Sequence, residues 1–173
     1  MTREDFRTKR YQLSVIAGMN QRYHQTKSHQ YWKRDFYAKV ITAVLATISL
    51  GLAIASPLAR NLMVDVGAIV VALAAALAAI VLNVLPFGAK EREHVDAFRR
   101  WTDLREEVDC LEYDMRDSDP SADLVQRLRQ LDAKNQRICG SETLADTALL
   151  DQCQAAEERS RGCTPGNSPA VAA

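Results

Sequence analysis

The sequence predicts an all-α membrane protein, made of a two-span helical hairpin, a long N-terminal helical arm and cytoplasmic, coiled-coil-like C-terminal helices. Three observations predict this class: two long uncharged apolar runs, apolar residues at heptad spacing after them, and no stretch with the alternation typical of a strand. The two runs are residues 40–58 and 66–85. At about 1.5 Å per helical residue, each run crosses the roughly 30 Å hydrocarbon core of a bilayer.

A soluble protein with two buried core helices is the alternative, and the mean hydropathy of −0.20 favours it. The polar flanks lower that average, whereas two uninterrupted apolar runs of this length are rare in a soluble chain of 173 residues. In a bilayer such runs are stable only as helices, because every backbone polar group needs an internal partner. The runs therefore predict two membrane spans in contact with lipid.

The connection between the spans predicts a tight hairpin and an orientation. Pro57 disfavours helix at Ser56, so the first span is expected to end there, and Asn61 or Asp65 is positioned to cap the second. Basic residues flank the outer ends of both runs, while Arg60 is the only basic residue of the loop. By the positive-inside rule, both termini are cytoplasmic and the chain is a multi-pass protein of the inner (plasma) membrane. Four aromatic residues are expected at the inner headgroup level: Trp32, Phe36, Tyr37 and Phe87.

Four segments follow from this layout: a cytoplasmic basic helical arm at 1–39, the transmembrane hairpin at 40–85, a cytoplasmic helical region at 89–156 and a disordered tail at 157–173. The arm has nine Lys and Arg against three Asp and Glu, whereas residues 89–173 have twelve against eighteen. These opposite net charges favour packing of the two segments against each other, or against other copies of the chain. The alternative is an arm that lies on anionic lipid.

The arm is expected to be helical, with Thr2 as N-cap and with Phe6, Leu13, Ile16 and Tyr23 roughly on one face. A break between residues 18 and 28 is the alternative to one continuous helix. The tail is expected to be disordered because, from residue 157 onward, apolar periodicity ends and Pro, Gly and Ser accumulate.

Small residues recur in both spans at a spacing that lets membrane helices approach closely. They are Thr47, Gly51 and Ala55 in the first span and Ala72, Ala76 and Ala79 in the second. Two interpretations stay open: these faces pack the hairpin within one subunit, or they pack subunits around an axis. Asn83 is expected to hydrogen-bond across copies or to line a constriction, or else to form a hydrated end of the span.

The cytoplasmic region carries the clearest helical periodicity outside the spans. An apolar seam repeats at intervals of three and four residues, as in a coiled coil or an antiparallel helix pair. Its members are Trp101, Leu104, Val108, Leu111 and Met115 in the first helix and Leu124, Leu128 and Leu131 in the second, with Asn135 as a polar seam residue. Ser118 or Asp119 is expected to cap the second helix, and Ser141 to cap a last short one.

The sequence contains none of the motifs of common catalytic or ligand sites. A phosphate-binding glycine loop, a nucleophile elbow, a zinc-protease helix and a calcium loop are all absent, so we expect no enzyme, no cofactor, no metal and no nucleic-acid partner. His24 and His29 are five residues apart and so do not share a helix face, and His94 is expected to be a solvated side chain, with a titrating gate as the alternative. Four cysteines are expected to stay reduced, without disulfides or zinc: Cys110, Cys139, Cys153 and Cys163.

This layout resembles the SLATT family, small two-span proteins of bacterial nucleotide-signalling conflict systems. The resemblance covers about residues 10–155. It rests on the basic arm with Arg22-Tyr23-His24, the tight hairpin and the helix with the string from Trp101 to Asp109. It implies a membrane effector that forms a pore or perturbs the membrane when a sensor is triggered. The chain departs from the fused versions in carrying no sensor domain, so sensing is expected from a separate nucleotide-signalling sensor protein or from the chain's own cytoplasmic helices.

We therefore expect a homo-oligomeric inner-membrane effector of a bacterial defence system, pore-forming or membrane-perturbing and triggered by a cytoplasmic signal. The alternative is a membrane-anchored coiled-coil scaffold that recruits cytoplasmic partners without conducting. A third hypothesis, an accessory subunit of a transporter, predicts stable co-purification with a larger membrane protein.

Overall fold

The computed structural model describes residues 1–59, 62–114, 120–142 and 146–161, without the side chains of residues 55–59, 62–64, 82–83 and 112–114. Over this part the chain is all-helical and contains no strand. The helices are α1 (Arg3–Ala59), α2 (Leu62–Val84), α3 (Phe87–Asp114), α4 (Ala122–Ser141) and α5 (Thr147–Ser160). They form two compact units. We call Met1–Thr26 together with the described residues from His94 onward the helical bundle, and Lys27–Glu93 the apolar unit.

Helix α1 begins with the predicted cap. The Thr2 Oγ1 accepts the backbone N–H of Asp5 at 3.1 Å, and the Asp5 carboxylate accepts the N–H of Thr2 at 3.1 Å. The helix then continues without a break past Gly18 to Ala59, three residues beyond the predicted end at Ser56. Pro57 lies in the last turn, where its missing N–H removes one backbone hydrogen bond near the end of an already propagated helix.

The direction of each bundle helix follows from its contacts. Later residues of α1 contact earlier residues of α3 and α5, so α1 is antiparallel to both. Later residues of α1 contact later residues of α4, so these two are parallel. The contacts are Ser14 with Asp109 and Gln21 with Thr102 for α3, Ser14 with Arg161 and Arg22 with Glu157 for α5, and Lys9 with Asp132 for α4.

The core of the bundle lies between α1, α3 and α4. It is one cluster of buried apolar side chains: Phe6, Leu13, Ala17, Trp101, Leu104, Val108, Leu111, Leu124, Leu128, Leu131 and Ile138. Every seam residue whose side chain the structure describes is buried here, as is Asn135, whereas Met115 lies outside the described residues. The arm up to Thr26 therefore covers the seam of its own chain.

The caps of α4 and α5 differ from the predicted ones. Ser121 caps α4, with its Oγ accepting the N–H of Leu124 at 3.2 Å, while Ser118 and Asp119 lie outside the described residues. Ser141 is not a cap: its hydroxyl donates to the carbonyl of Ile138 within α4. Asp146 caps α5 instead, because a carboxylate accepts the N–H three residues onward, at 3.1 Å, as well as a hydroxyl does.

The prediction of a disordered tail from Glu157 is wrong at its start. Helix α5 continues to Ser160, and the Glu157 side chain is fully buried. The end of apolar periodicity indicated disorder, but the bundle supplies partners for the charge of Glu157. Residues 162–173 lie outside the described residues.

The apolar unit contains most of α1 and all of α2. Along α1 the partly buried positions repeat every three or four residues: Ala38, Thr42, Leu45, Ser49 and Leu52. Along α2 they are Gly67, Ala68, Val71, Ala74, Ala75, Ala78 and Ala79. This helical periodicity marks the faces that the two helices turn toward each other.

Candidate functional site

The apolar surface of α1 is the first candidate for a functional surface. Among the described residues, one helix is long and apolar enough to cross a membrane by length and composition, within Arg3–Ile54, and its most apolar window is not buried. A shorter apolar stretch of α2, Asp65–Val81, accompanies it. These features are weak evidence of membrane association, since length and composition alone define them.

The small residues singled out in the spans lie on different faces. Thr47 and Gly51 are exposed, and a Cβ built on Gly51 has no atom within 4 Å. Ala72 and Ala76 are exposed as well, whereas Ala79 is half-buried on the face toward α1. The side chains of Ala55 and Asn83 lie outside the described residues. Four of the predicted residues are thus exposed in the described chain.

Aromatic side chains line α1 just before its apolar segment. The rings of His29 and Trp32 stack with centroids 5.9 Å apart, and the rings of Trp32 and Phe36 stack at 5.5 Å. Tyr37 packs edge-on against Phe36. The side chains of Trp32, Phe36 and Tyr37 are all exposed. An exposed aromatic ladder at this place is typical of a membrane interface.

A histidine cluster lies inside the helical bundle. His24 of α1 is 4% exposed, and its Nδ1 lies 2.9 Å from Nδ1 of His94, on α3. The other ring nitrogen, Nε2, lies 2.9 Å from a carboxylate oxygen of Glu142, and the indole N–H of Trp101 donates to the same oxygen at 2.9 Å. The ring of Tyr23 packs edge-on against both imidazoles. We call His24, His94, Trp101 and Glu142 the histidine cluster.

The expectation that His94 is a solvated side chain is therefore wrong, because His94 is half-buried and contacts His24. His94, the partner of His24 on α3, is seventy residues away in sequence. Glu142, whose carboxylate contacts the other nitrogen of His24, is more distant still. Only the antiparallel packing of α1 on α3, and the parallel packing on α4, brings these groups together. Sequence spacing carries no signal of this kind.

The charge of Glu142 is stabilised where it lies. Burial raises the pKa of this carboxyl, but the hydrogen bonds from His24 and Trp101, with the positive charge of Arg100, outweigh burial and hold the pKa below its ordinary value of 4.5. The Arg100 guanidinium lies 3.5 Å from the second carboxylate oxygen. Glu142 is therefore an anion near neutral pH.

A second polar cluster lies between α1, α3 and α5. The Glu157 carboxylate is fully buried and meets three guanidinium groups, those of Arg22 at 2.7 Å, Arg105 at 3.2 Å and Arg161 at 2.9 Å. Burial raises the pKa of Glu157, but these arginines outweigh it and hold the pKa below 4.5. The carboxylate lies against Gly18, where an added Cβ would be 2.4 Å from its Oε1. We call Glu157 and the three arginines the arginine cluster.

The chemistry of these clusters is that of charge pairing and proton binding. Among the described residues, no group of three or more His, Cys, Asp or Glu side chains is placed to hold a metal ion. Neither histidine has a serine or cysteine nucleophile among its described contacts. The clusters therefore connect different helices of the bundle through polar contacts.

The fold and these sites define an all-helical protein with a polar-clustered bundle and an exposed apolar helix long enough to cross a membrane. The chain matches no protein-family model, no curated protein and no solved structure.

Proposed function

We propose that this chain is a SLATT-like membrane effector of a bacterial defence system, with two spans, both termini in the cytoplasm, and an oligomeric pore or leak as its active state. The observation that carries the proposal is the exposure of the apolar unit. Fifteen large aliphatic side chains between Val40 and Leu85 are exposed there. A soluble monomer rarely exposes an apolar surface of this extent, whereas a bilayer covers it.

The bundle supports the proposal because it buries its own core. Its described apolar cluster is buried by helices of the same chain. The mean hydropathy that favoured a soluble protein averages these two contrasting units. The exposed surface of the helical bundle suits water, and that of the apolar unit suits lipid.

A homo-oligomer follows from the pore model, because two helices cannot enclose a pore. The exposed small residues Thr47 and Gly51 of α1, with Ala72 and Ala76 of α2, lie off the face between the two helices. Small residues allow close approach of a further helix in a bilayer. These positions are therefore the proposed contacts between copies, and the trigger is a cytoplasmic signal from a separate nucleotide-signalling sensor.

The scaffold hypothesis has one observation in its favour. A groove of about 610 Å³ lies between α3 and α4, with Asp103 and Glu106 on one side and Arg127 and Lys134 on the other. A charged partner helix fits such a groove without any conduction by the spans. In this hypothesis the chain is a non-enzymatic anchor.

The two hypotheses are separated by membrane potential and growth of bacteria that express the protein, with and without a candidate sensor. The test variant is Ala72→Leu with Ala76→Leu. The matched control is Ala46→Leu with Ala53→Leu. These are the same two changes at exposed positions of α1, on a different face of the helix from Thr47 and Gly51.

Depolarisation by the wild type and the control, abolished in the test variant at equal expression, is the expected result. Depolarisation by all three proteins contradicts a pore built on the alanine face. No depolarisation by the wild type, even with the sensor present, overturns the pore proposal in favour of the scaffold.

A further inference from the structure

The histidine cluster contains a hydrogen bond that only certain protonation states allow. Two Nδ1 atoms face each other at 2.9 Å, so one must donate a proton and the other must accept it. On the opposite side of the His24 ring, Nε2 faces a carboxylate oxygen that already accepts the indole N–H of Trp101. Since Glu142 is an anion, Nε2 carries a proton and donates it.

These constraints fix what the pair can hold. With both rings neutral, His94 donates its Nδ1 proton to the bare Nδ1 of His24. With one extra proton, one ring is an imidazolium and a single Nδ1 proton still joins the two rings; when that ring is His24, its charge lies against Glu142. With two extra protons, both Nδ1 atoms carry hydrogen, and two N–H groups point at each other across 2.9 Å.

From these states we infer that His24 and His94 form a proton-operated latch, which stays closed while the two rings share one Nδ1 proton and opens when each ring has its own. The latch joins three parts of the bundle: α1 through His24, α3 through His94 and Trp101, and the end of α4 through Glu142. Its use as the gate of the membrane effector rests on the proposed function. The opening of the latch does not.

The charged groups nearest to His24 lie mainly on one side of the pair. Glu142 supplies one negative charge, which it shares with Arg100 at 3.5 Å. From α1, Tyr23 adds an aromatic ring. From α5, the carboxylate of Glu157 is engaged by Arg22, two residues before His24. A positive charge on His24 therefore lies against Glu142.

Burial prevents water from relieving the conflict in place. His24 is 4% exposed and both its nitrogens are engaged, so a broken contact leaves a buried charged ring without a partner. The conflict is relieved when the half-buried His94 ring leaves His24, or when Glu142 leaves with the end of α4. Both changes alter the surroundings of Trp101, because its indole shares the Glu142 oxygen with His24.

The full chain in detergent provides a direct reporter of this opening. The sequence contains two tryptophans, Trp32 and Trp101, so the variant Trp32→Phe leaves the cluster residue as the only indole. Its fluorescence is recorded from about pH 8 to about pH 5, the range over which imidazoles titrate in proteins. The same titration is made with His94→Gln added, and, as matched control, with His29→Gln added. His29 stacks on residue 32 of the apolar unit and lies outside the cluster.

We expect Trp101 emission to shift to longer wavelength as the pH falls, since the indole loses Glu142 and enters water. His29→Gln should leave this transition unchanged. His94→Gln should abolish it, because glutamine offers His24 an acceptor that does not titrate. Helicity measured by circular dichroism near pH 7.5 verifies that each variant is folded.

Nitrogen-labelled histidine NMR of the wild type supplies an independent measurement if the glutamine variant fails to fold. Two coupled protonation steps for His24 and His94, with one independent step for His29, support the latch. A pH-independent Trp101 signal, a transition that survives His94→Gln, or independent titration of His24 and His94 overturns it.

Proteoliposome conductance near pH 7.5 and pH 5.5 then tests the link to the membrane function. Conductance that rises with the Trp101 transition, and not in His94→Gln, supports a proton-operated gate. A Trp101 transition without any conductance contradicts the use of the latch as a gate while the latch itself stands. Conductance without a Trp101 transition contradicts the latch while the pore stands.

Discussion

The variant Gly18→Ala tests how α5 is held on the bundle. Gly18 lies in the interior of α1, where alanine normally stabilises a helix by about 1 kcal/mol relative to glycine. Here the new Cβ would lie 2.4 Å from Oε1 and 2.5 Å from Cδ of Glu157. The carboxylate has no room to yield, because it is fully buried and three arginines hold it.

The magnitude follows from two ways of relieving this contact. Local displacement carries the overpacking cost of about 1–3 kcal/mol. Expulsion of Glu157 breaks a buried ion pair at a cost of about 3–5 kcal/mol. After subtraction of the gain in helix propensity, we expect the cheaper route to destabilise the bundle by about 1 kcal/mol. In a chain of this size that lowers the melting temperature by about 3 °C.

The assay is thermal unfolding of the full chain in detergent, followed by circular dichroism and by tryptophan fluorescence. Gly140→Ala is the matched control, because a Cβ at that helical position has no atom within 4 Å and stability should stay equal or rise by up to about 1 kcal/mol. In a Glu157→Ala background, Gly18→Ala should no longer lower the melting temperature, because the side chain that its Cβ would meet is gone. An unchanged cost in that background, or a Gly18→Ala protein as stable as the wild type, refutes the reasoning.

Three further predictions concern acid stability, capping and thiol access. Their partners hold the pKa values of Glu142 and Glu157 below 4.5, so both carboxylates contribute stability that is present above pH 4.5 and is lost as the pH falls through their folded-state pKa values. The denaturant midpoint of the wild type should therefore fall as the pH is lowered through those values. In Glu157→Gln the midpoint should fall less steeply with pH. Ser121→Ala should lower the free energy of unfolding by about 1 kcal/mol in urea titrations, because Leu124 loses its cap. A thiol reagent should modify exposed Cys110 well before buried Cys153 in peptide mass spectra, and equal rates would contradict the described burial.

The helices themselves were largely readable from the sequence. Thr2 as N-cap and the three-and-four spacing of Trp101, Leu104 and Val108 are local features, and side chains at that spacing share one helix face whatever they pack against. The all-helical class follows from the same periodicity. Membrane topology and oligomeric state stay predictions.

The polar sites were not readable, because their members are distant in sequence. Glu157 was predicted to begin a disordered tail, since apolar periodicity ends there and Pro, Gly and Ser accumulate after it. Its partners Arg22 and Arg105 are on α1 and α3. His94 was expected to be solvated, and its contact with His24 exists only because α1 packs on α3.

The sequence by itself thus determined which segments are helical, where most of their apolar faces lie and which residues are too apolar for water, because these properties depend on residues within one or two turns of each other. The tertiary structure alone decided what each polar residue on those faces meets. Helix pairing sets those distances, and a buried charge or imidazole is stable only where a partner from another helix satisfies it.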